Sequence, residues 1–200
     1  MKDTKALVLS GFLGSGKTTL LLQLIQGLRK DKGPDYTIAI IENEIGAVSV
    51  DGGIISEAGY SVTDMLSGCA CCTLLAEIPY ALEQIKEDLD PDLVIFEATG
   101  LANPRKIASM MKRACDIPGR VCTLVDAPGW EETFECLENL VTAQVQAADV
   151  VCINKVDLAD EEVISAAEAD ICKLNDRCDI VRMVGIEPLE EGLAKRILEG

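Results

Sequence analysis

"KALVLSGFLGSGKTTLLLQLI", Lys5 to Ile25, decides the fold. Its first six residues form a short apolar run that reads as a buried strand. Leu21, Leu24, Ile25 and Leu28 recur at helical spacing until "KGP" at Lys32–Pro34 stops them. Between the two lies "GFLGSGKT", Gly11 to Thr18, which satisfies G-x-x-x-x-G-K-[ST] in the strand-to-helix setting that the pattern requires. Glycines let successive backbone N–H groups curl around a β-phosphate, and the helix N-terminus adds positive potential. Lys17 then reaches the β- and γ-phosphates, and the Thr18 hydroxyl ligates Mg²⁺. Gly11, Gly14, Ser15, Gly16, Lys17, Thr18 and Thr19 are therefore the expected nucleotide cradle.

Outward from this segment the pattern repeats. The runs "YTIAII" (36–41), "YSVTDML" (60–66), "DLVIF" (92–96), "RVCTLV" (120–125), "DVVCIN" (149–154) and "DIVRMV" (179–184) bring the strand total to about seven, most of them separated by helical spacing. Such alternation predicts an α/β P-loop NTPase fold, a mostly parallel sheet with helices on both faces and ligands at the carboxyl ends of the strands. Residues 1–200 read as one domain with no separate C-terminal domain, the last helix being "PLEEGLAKRIL". "ENEIGAVSVDGGIISEAGY", Glu42 to Tyr60, is Gly-rich and lacks a helical pattern; it reads as a mobile functional insert, a switch region.

The content is 48% hydrophobic but 4% aromatic, so the core must be built from Leu, Ile, Val and Ala, as under a parallel sheet covered on both sides. A net charge of −16 opposes binding to phosphate backbones and repels anionic membranes, excluding nucleic acid and membrane surfaces as partners. The apolar run after Lys5 is broken by Gly11, Gly14 and Lys17, unlike a signal peptide, and no run reaches the roughly 18 apolar residues of a membrane span. The expected location is cytoplasmic. Nine cysteines, an odd number, in such a compartment are expected to be reduced thiols.

"INKVD" supplies N-K-x-D as Asn154, Lys155 and Asp157 after the sixth strand. Guanine presents N1–H and a 2-amino group as donors to a carboxylate, whereas adenine offers an acceptor at N1. Asp157 would thus select GTP by being left unpaired against ATP. For Mg²⁺ three strand-end acids compete: Glu42, Glu97 and Asp126. Glu97 opens "EATG", where Gly100 stands three residues on, at a distance suited to an N–H bond with the γ-phosphate. Glu97 is preferred, with Asp126 next and structural in character.

Taken together, "GFLGSGKTT", "ENEIG", "GCACC", "EATGLANP", "VDA" and "NKVD" resemble the CobW family of P-loop GTPases, relatives of the nickel-enzyme maturation GTPases of urease and hydrogenase. The resemblance runs in order from Leu7 to about Asp157. It implies a GTPase that binds a transition metal, often zinc, and couples nucleotide state to metal delivery or to assembly of a metal- or cobalamin-dependent enzyme. The pattern departs from the family in places. Ala47 stands where members usually carry a glutamate after the glycine of E-N-E-F-G-E, and the histidine-rich tract common among members is missing, since the chain has no histidine.

"SGCACC" (67–72) places Cys69, Cys71 and Cys72 within four positions. A disulfide between neighbours this close is strained. Cys69 and Cys72 have the C-x-x-C spacing of a redox pair, simple packing is a further reading, and soft thiolates suit zinc or another transition metal such as Co²⁺ or Ni²⁺. Metal binding is preferred. A fourth ligand is then expected from Glu42, or from Glu44, Asp51, water or a second subunit. Cys122 and Cys152, inside strands, read as small buried hydrophobes. The expected activity is slow GTP hydrolysis using Lys17, Thr18 and Glu97, with no glutamine or arginine finger beyond a weak case for Arg105. A client metalloenzyme or corrinoid protein and a homodimer contact are the expected partners. The competing readings are an NTP-dependent reactivator of a corrinoid enzyme and a nucleotide-gated, non-catalytic adaptor.

Overall fold

A computed structural model describes residues 2–42, 61–64, 73–190 and 192–199. All seven expected strands form: β1 (Lys5–Gly11), β2 (Ile38–Glu42), β3 (Ser61–Asp64), β4 (Leu93–Glu97), β5 (Gly119–Asp126), β6 (Val150–Asn154) and β7 (Asp179–Arg182). They make one sheet in the order β3-β2-β4-β1-β5-β6-β7, and every neighbouring pair is parallel. The helices are α1 (Lys17–Lys32), α2 (Thr73–Leu89), α3 (Pro104–Cys115), α4 (Trp130–Ala147), α5 (Glu161–Leu174) and α6 (Leu193–Leu198), with a 3₁₀ turn over Val156–Leu158.

Because side chains alternate across a strand, a strand covered on both sides must be apolar at every position. In β1, Leu7 and Leu9 face a cluster with Leu20, Leu21, Leu24 and Ile25 of α1 and with Leu193 and Ile197 of α6. Ala6 and Val8 face the opposite cluster, which draws on α2, α3, α4 and α5. Phe96 of β4 is fully buried on that side. Each such Leu, Ile or Phe contributes roughly 1.5–3 kcal/mol of transfer free energy, so the two-sided core, built almost without aromatic residues, fixes where the strand ends lie.

Local chemistry sets the helix boundaries. Arg29, Lys30 and Lys32 occupy the last turn of α1, where cations suit the helix dipole, and Gly33 ends it at φ 86°. Asn103 caps α3 by accepting from the Lys106 N–H at 3.3 Å, with Pro104 in the first turn. The final helix departs from the sequence pattern, which carried it from Pro188: it begins only at Leu193, because Gly192 takes a left-handed φ of 87°. Cys122 and Cys152 are buried on adjacent strands with sulfurs 3.6 Å apart, and the hydrogen bond between them and burial push the Cys122 thiol well up, so the pair is inert packing.

Candidate functional site

β1 lies between β4 and β5 at the middle of the sheet, so the loop leaving its carboxyl end stands at the centre of that edge. The Gly11–Thr18 loop needs its glycines for close approach. A Cβ on Gly11, which sits at φ 136°, would overlap the Leu124 carbonyl oxygen, and one on Gly16, at φ 101°, would overlap the Asn154 amide nitrogen. Gly16 caps α1 without a side chain, leaving the first N–H groups of that helix directed at the loop. Lys17 Nζ donates to the carbonyls of Gly11 at 3.1 Å and Phe12 at 3.3 Å, which holds the ammonium over the loop.

The strand-end acids separate by geometry. Thr18 Oγ1 donates to Glu97 Oε1 at 2.8 Å, joining the hydroxyl of α1 to the carboxylate at the end of β4. Asp126 instead pairs with Lys155, Oδ2 to Nζ at 3.1 Å, while its other oxygen is buried with no protein partner. Glu42, the last residue of β2, pairs in backbone register with Glu97 on one side and with Asp64 of β3 on the other. Oxygen donors of the Thr18 and Glu97 type suit a hard cation such as Mg²⁺.

Asn154, Lys155 and Asp157 come together at the end of β6. Asn154 is buried and fully engaged: Nδ2 donates to the Ser15 carbonyl at 2.8 Å, and Oδ1 accepts from the N–H groups of Lys155 (2.8 Å) and Gly185 (2.7 Å). It braces the phosphate loop against the loop after β7. Lys155 adopts a left-handed φ of 61°, and Asp157 is the exposed middle residue of the 3₁₀ turn. Exposed Leu158 and Ile186 stand next to Asp157 and Gly185 in sequence. Sequence reasoning missed Gly185, whose carbonyl also accepts from Gln23 Nε2 of α1 at 2.6 Å. The only signal was a glycine after the last strand.

Gly100 packs against the phosphate loop, a Cβ there lying 3.1 Å from the Leu13 N–H nitrogen. Gln144 of α4, in no sequence motif, donates to the Gly100 carbonyl at 2.9 Å. Arg105 is turned away from a finger role, its Nη2 donating to the Gln146 carbonyl at 2.9 Å on the last turn of α4. Cys69, Cys71, Cys72, Glu44, Asp51 and Ala47, and the 42–60 insert beyond Glu42, lie outside the described residues.

Comparison with known proteins gives a consistent picture. The zinc chaperone YjiA of Escherichia coli is 34% identical over 171 residues, covering 80% of this chain and 52% of the relative. The zinc-regulated GTPase metalloprotein activator 1 of Dictyostelium discoideum is 28% identical over 228 aligned residues, covering 92% and 46%. This chain thus spans about half the length of these relatives. The hydrogenase maturation factor HypB of Archaeoglobus fulgidus superposes with a TM-score of 0.64 at 23% identity, over 91% of this chain and 82% of that one. HypB of Helicobacter pylori in complex with nickel gives 0.67 at 20%, over 98% and 82%. At such identities these structures speak for the fold. Residues 5–182 match the model of the CobW/HypB/UreG nucleotide-binding domain, and the chain belongs to that family.

Proposed function

We propose that this chain is a slow GTPase whose nucleotide state governs binding of a transition metal at Cys69, Cys71 and Cys72. The observation that carries the reading is the 2.8 Å bond between Thr18 and Glu97, with Glu42 in register beside Glu97. It sets Thr18 of α1 and Glu97 of β4, the magnesium ligands of this reading, directly beside the strand that leads into the 42–60 segment. In sequence the thiols lie between Asp64, the last residue of β3, and Thr73, the first residue of α2. Cys69 follows Asp64 by five residues, a chain reach of at most about 18 Å. The zinc-handling names of the relatives above support zinc as the cargo, with Co²⁺ and Ni²⁺ as competitors for the same thiolates.

In this reading Gly11, Gly14, Ser15, Gly16 and Thr19 present the loop amides to the phosphates. Lys17 exchanges its carbonyl partners for the β- and γ-phosphate oxygens and stabilises charge on the transferring phosphoryl group. Thr18 and Glu97 hold Mg²⁺, which supplies charge neutralisation at those oxygens when bound. Gly100 offers its N–H to the γ-phosphate, and Asp157 accepts from the guanine edge, with Lys155 and Asn154 holding the loop that carries it. Residues 42–60 act as the switch, ordering with nucleotide and metal, and Glu42 completes the thiolate site. A client metalloenzyme or corrinoid protein receives the metal, and a homodimer contact supplies what the GTPase site lacks. Among the described residues no helix is long and apolar enough to cross a membrane, in keeping with a cytoplasmic role.

Lys17→Ala, assayed for GTP hydrolysis with Mg²⁺, is expected to lose at least about 100-fold in kcat, as when a transition-state donor is removed. Glu97→Gln is expected to raise the Mg²⁺ concentration needed for half-maximal rate. Unchanged kcat in the first and unchanged Mg²⁺ dependence in the second would remove these residues from the reaction.

A further inference from the structure

We propose that Gln144 is a positioning residue for the nucleotide-sensing turn: its buried side chain fixes the Gly100 carbonyl, and thereby makes the stability of the triphosphate state depend on α4. The inference rests on the reading of Gly100 as the γ-phosphate contact. Gln144 is 3% exposed, between Val141 and Val145, which pack into the core. A buried primary amide in apolar company costs stability unless bonded, and this one donates Nε2 to Gly100 O at 2.9 Å. The residue is held from behind as well, since Thr123 Oγ1 of β5 donates to the Gln144 backbone carbonyl at 3.2 Å. Thr123, Gln144 and Gly100 thus form a line of hydrogen bonds from the buried sheet, through the last turns of α4, to the half-buried turn.

The turn has few other restraints. Ala98 N–H donates to Leu9 O at 2.9 Å where the segment leaves β4, and Ala102 N–H closes the turn on Thr99 O at 3.0 Å. Beyond it, Arg105 reaches the Gln146 carbonyl. Two of the ties on the 98–105 segment therefore end on one helical turn of α4. The turn runs close to the phosphate loop, since a Cβ on Gly100 would lie 3.1 Å from the Leu13 nitrogen. With the carbonyl held, the Gly100–Leu101 peptide and its Leu101 N–H are set by α4 rather than by solvent, and the Gly100 N–H, one peptide earlier, is restrained through the Gly100 Cα. With Gly100 as the γ-phosphate contact, this turn would be felt by triphosphate and not by diphosphate. The role of Gln144 therefore predicts a selective effect, which mere packing does not.

The test uses Gln144→Leu, which keeps the volume and removes the donor, and Gln144→Glu, which sets a carboxylate against the carbonyl. A cavity of about 40 Å³ lined by Leu13, Thr123, Val141 and Gln144 gives either side chain room. Affinities for GDP and for a non-hydrolysable GTP analogue are measured with kcat, and Gly100→Ala serves as the control for the turn itself. GDP affinity is expected to stay within about two-fold. The analogue-to-GDP affinity ratio and kcat are expected to fall roughly ten-fold in both Gln144 variants, the loss from removing the donor to a half-buried carbonyl. Equal loss for GDP and analogue marks a structural residue and overturns the proposal. So does a Gln144→Leu protein with wild-type ratio and kcat when Gly100→Ala shifts the ratio. If Gly100→Ala leaves the ratio unchanged while GDP still binds, the reading of Gly100 itself fails and the inference falls with it.

Discussion

At the residue scale, Asp157 and Asn154 divide the work that the N-K-x-D pattern advertises. Asn154 spends its amide on Ser15, Lys155 and Gly185, whereas Asp157 stays exposed on its 3₁₀ turn. Base choice should therefore follow the Asp157 carboxylate alone. Asp157→Asn replaces an acceptor pair by a donor and an acceptor, which suits xanthine, whose C2 carbonyl stands where guanine has its amino group. Competition binding should show GTP affinity falling by about 100-fold or more and XTP affinity rising; retained GTP preference would relocate the base. Motif residues such as Lys17, Thr18 and Asn154 stood out by residue type at fixed spacing, and the structure gathers them around the Gly11–Thr18 loop. Spacing alone did not separate Glu42, Glu97 and Asp126, since all three end buried strands, and only "EATG" favoured Glu97; the Thr18–Glu97 and Lys155–Asp126 pairings distinguish the last two by geometry. Gln144 and Gly185 were invisible because their partners lie 44 and 31 residues away in sequence and follow no local pattern.

Among the elements, the strands were readable because burial on both faces writes itself as uninterrupted Val, Ile and Leu, and α1 because its apolar positions and its Gly33 stop agree. The last helix was overdrawn: helical spacing continues through "PLEEG", but a left-handed Gly192 delays the helix to Leu193. α3 is the element that follows the Gly100 turn, and its start depends on Asn103. Asn103→Ala should lower unfolding free energy by about 1 kcal/mol in denaturant titration, the usual worth of an N-cap. Asn103→Asp or Asn103→Ser should recover most of it. A neutral alanine variant would show that Pro104 and packing suffice to start the helix.

For the whole molecule, charge and linkage govern behaviour. Arg182 forks onto Glu168 at 2.7 and 2.8 Å and reaches Glu161, and its guanidinium holds the Glu168 carboxyl below the usual range; Arg196 does the same for Asp179. These pairs tie β7 to α5 and α6. A depressed folded value means that their stabilisation is fully present above the unfolded value, near pH 4, and is lost as pH falls through the folded one. Thermal unfolding should therefore show no contribution from these pairs to any trend between pH 8 and 5 and a loss below about pH 4, with Glu168→Gln flattening that acid limb. An acid limb identical in Glu168→Gln would assign it elsewhere. The larger claim is that guanine nucleotide and thiolate metal share one edge of the sheet and feel each other. Its most direct test is anaerobic Zn²⁺ titration of the wild-type protein and of Cys71→Ser, each with GDP and with a non-hydrolysable GTP analogue. The account predicts that Zn²⁺ affinity differs between the two nucleotides by at least about five-fold, the lower end of ordinary site coupling, and that Cys71→Ser abolishes the difference. Equal Zn²⁺ affinity in both nucleotide states would contradict it.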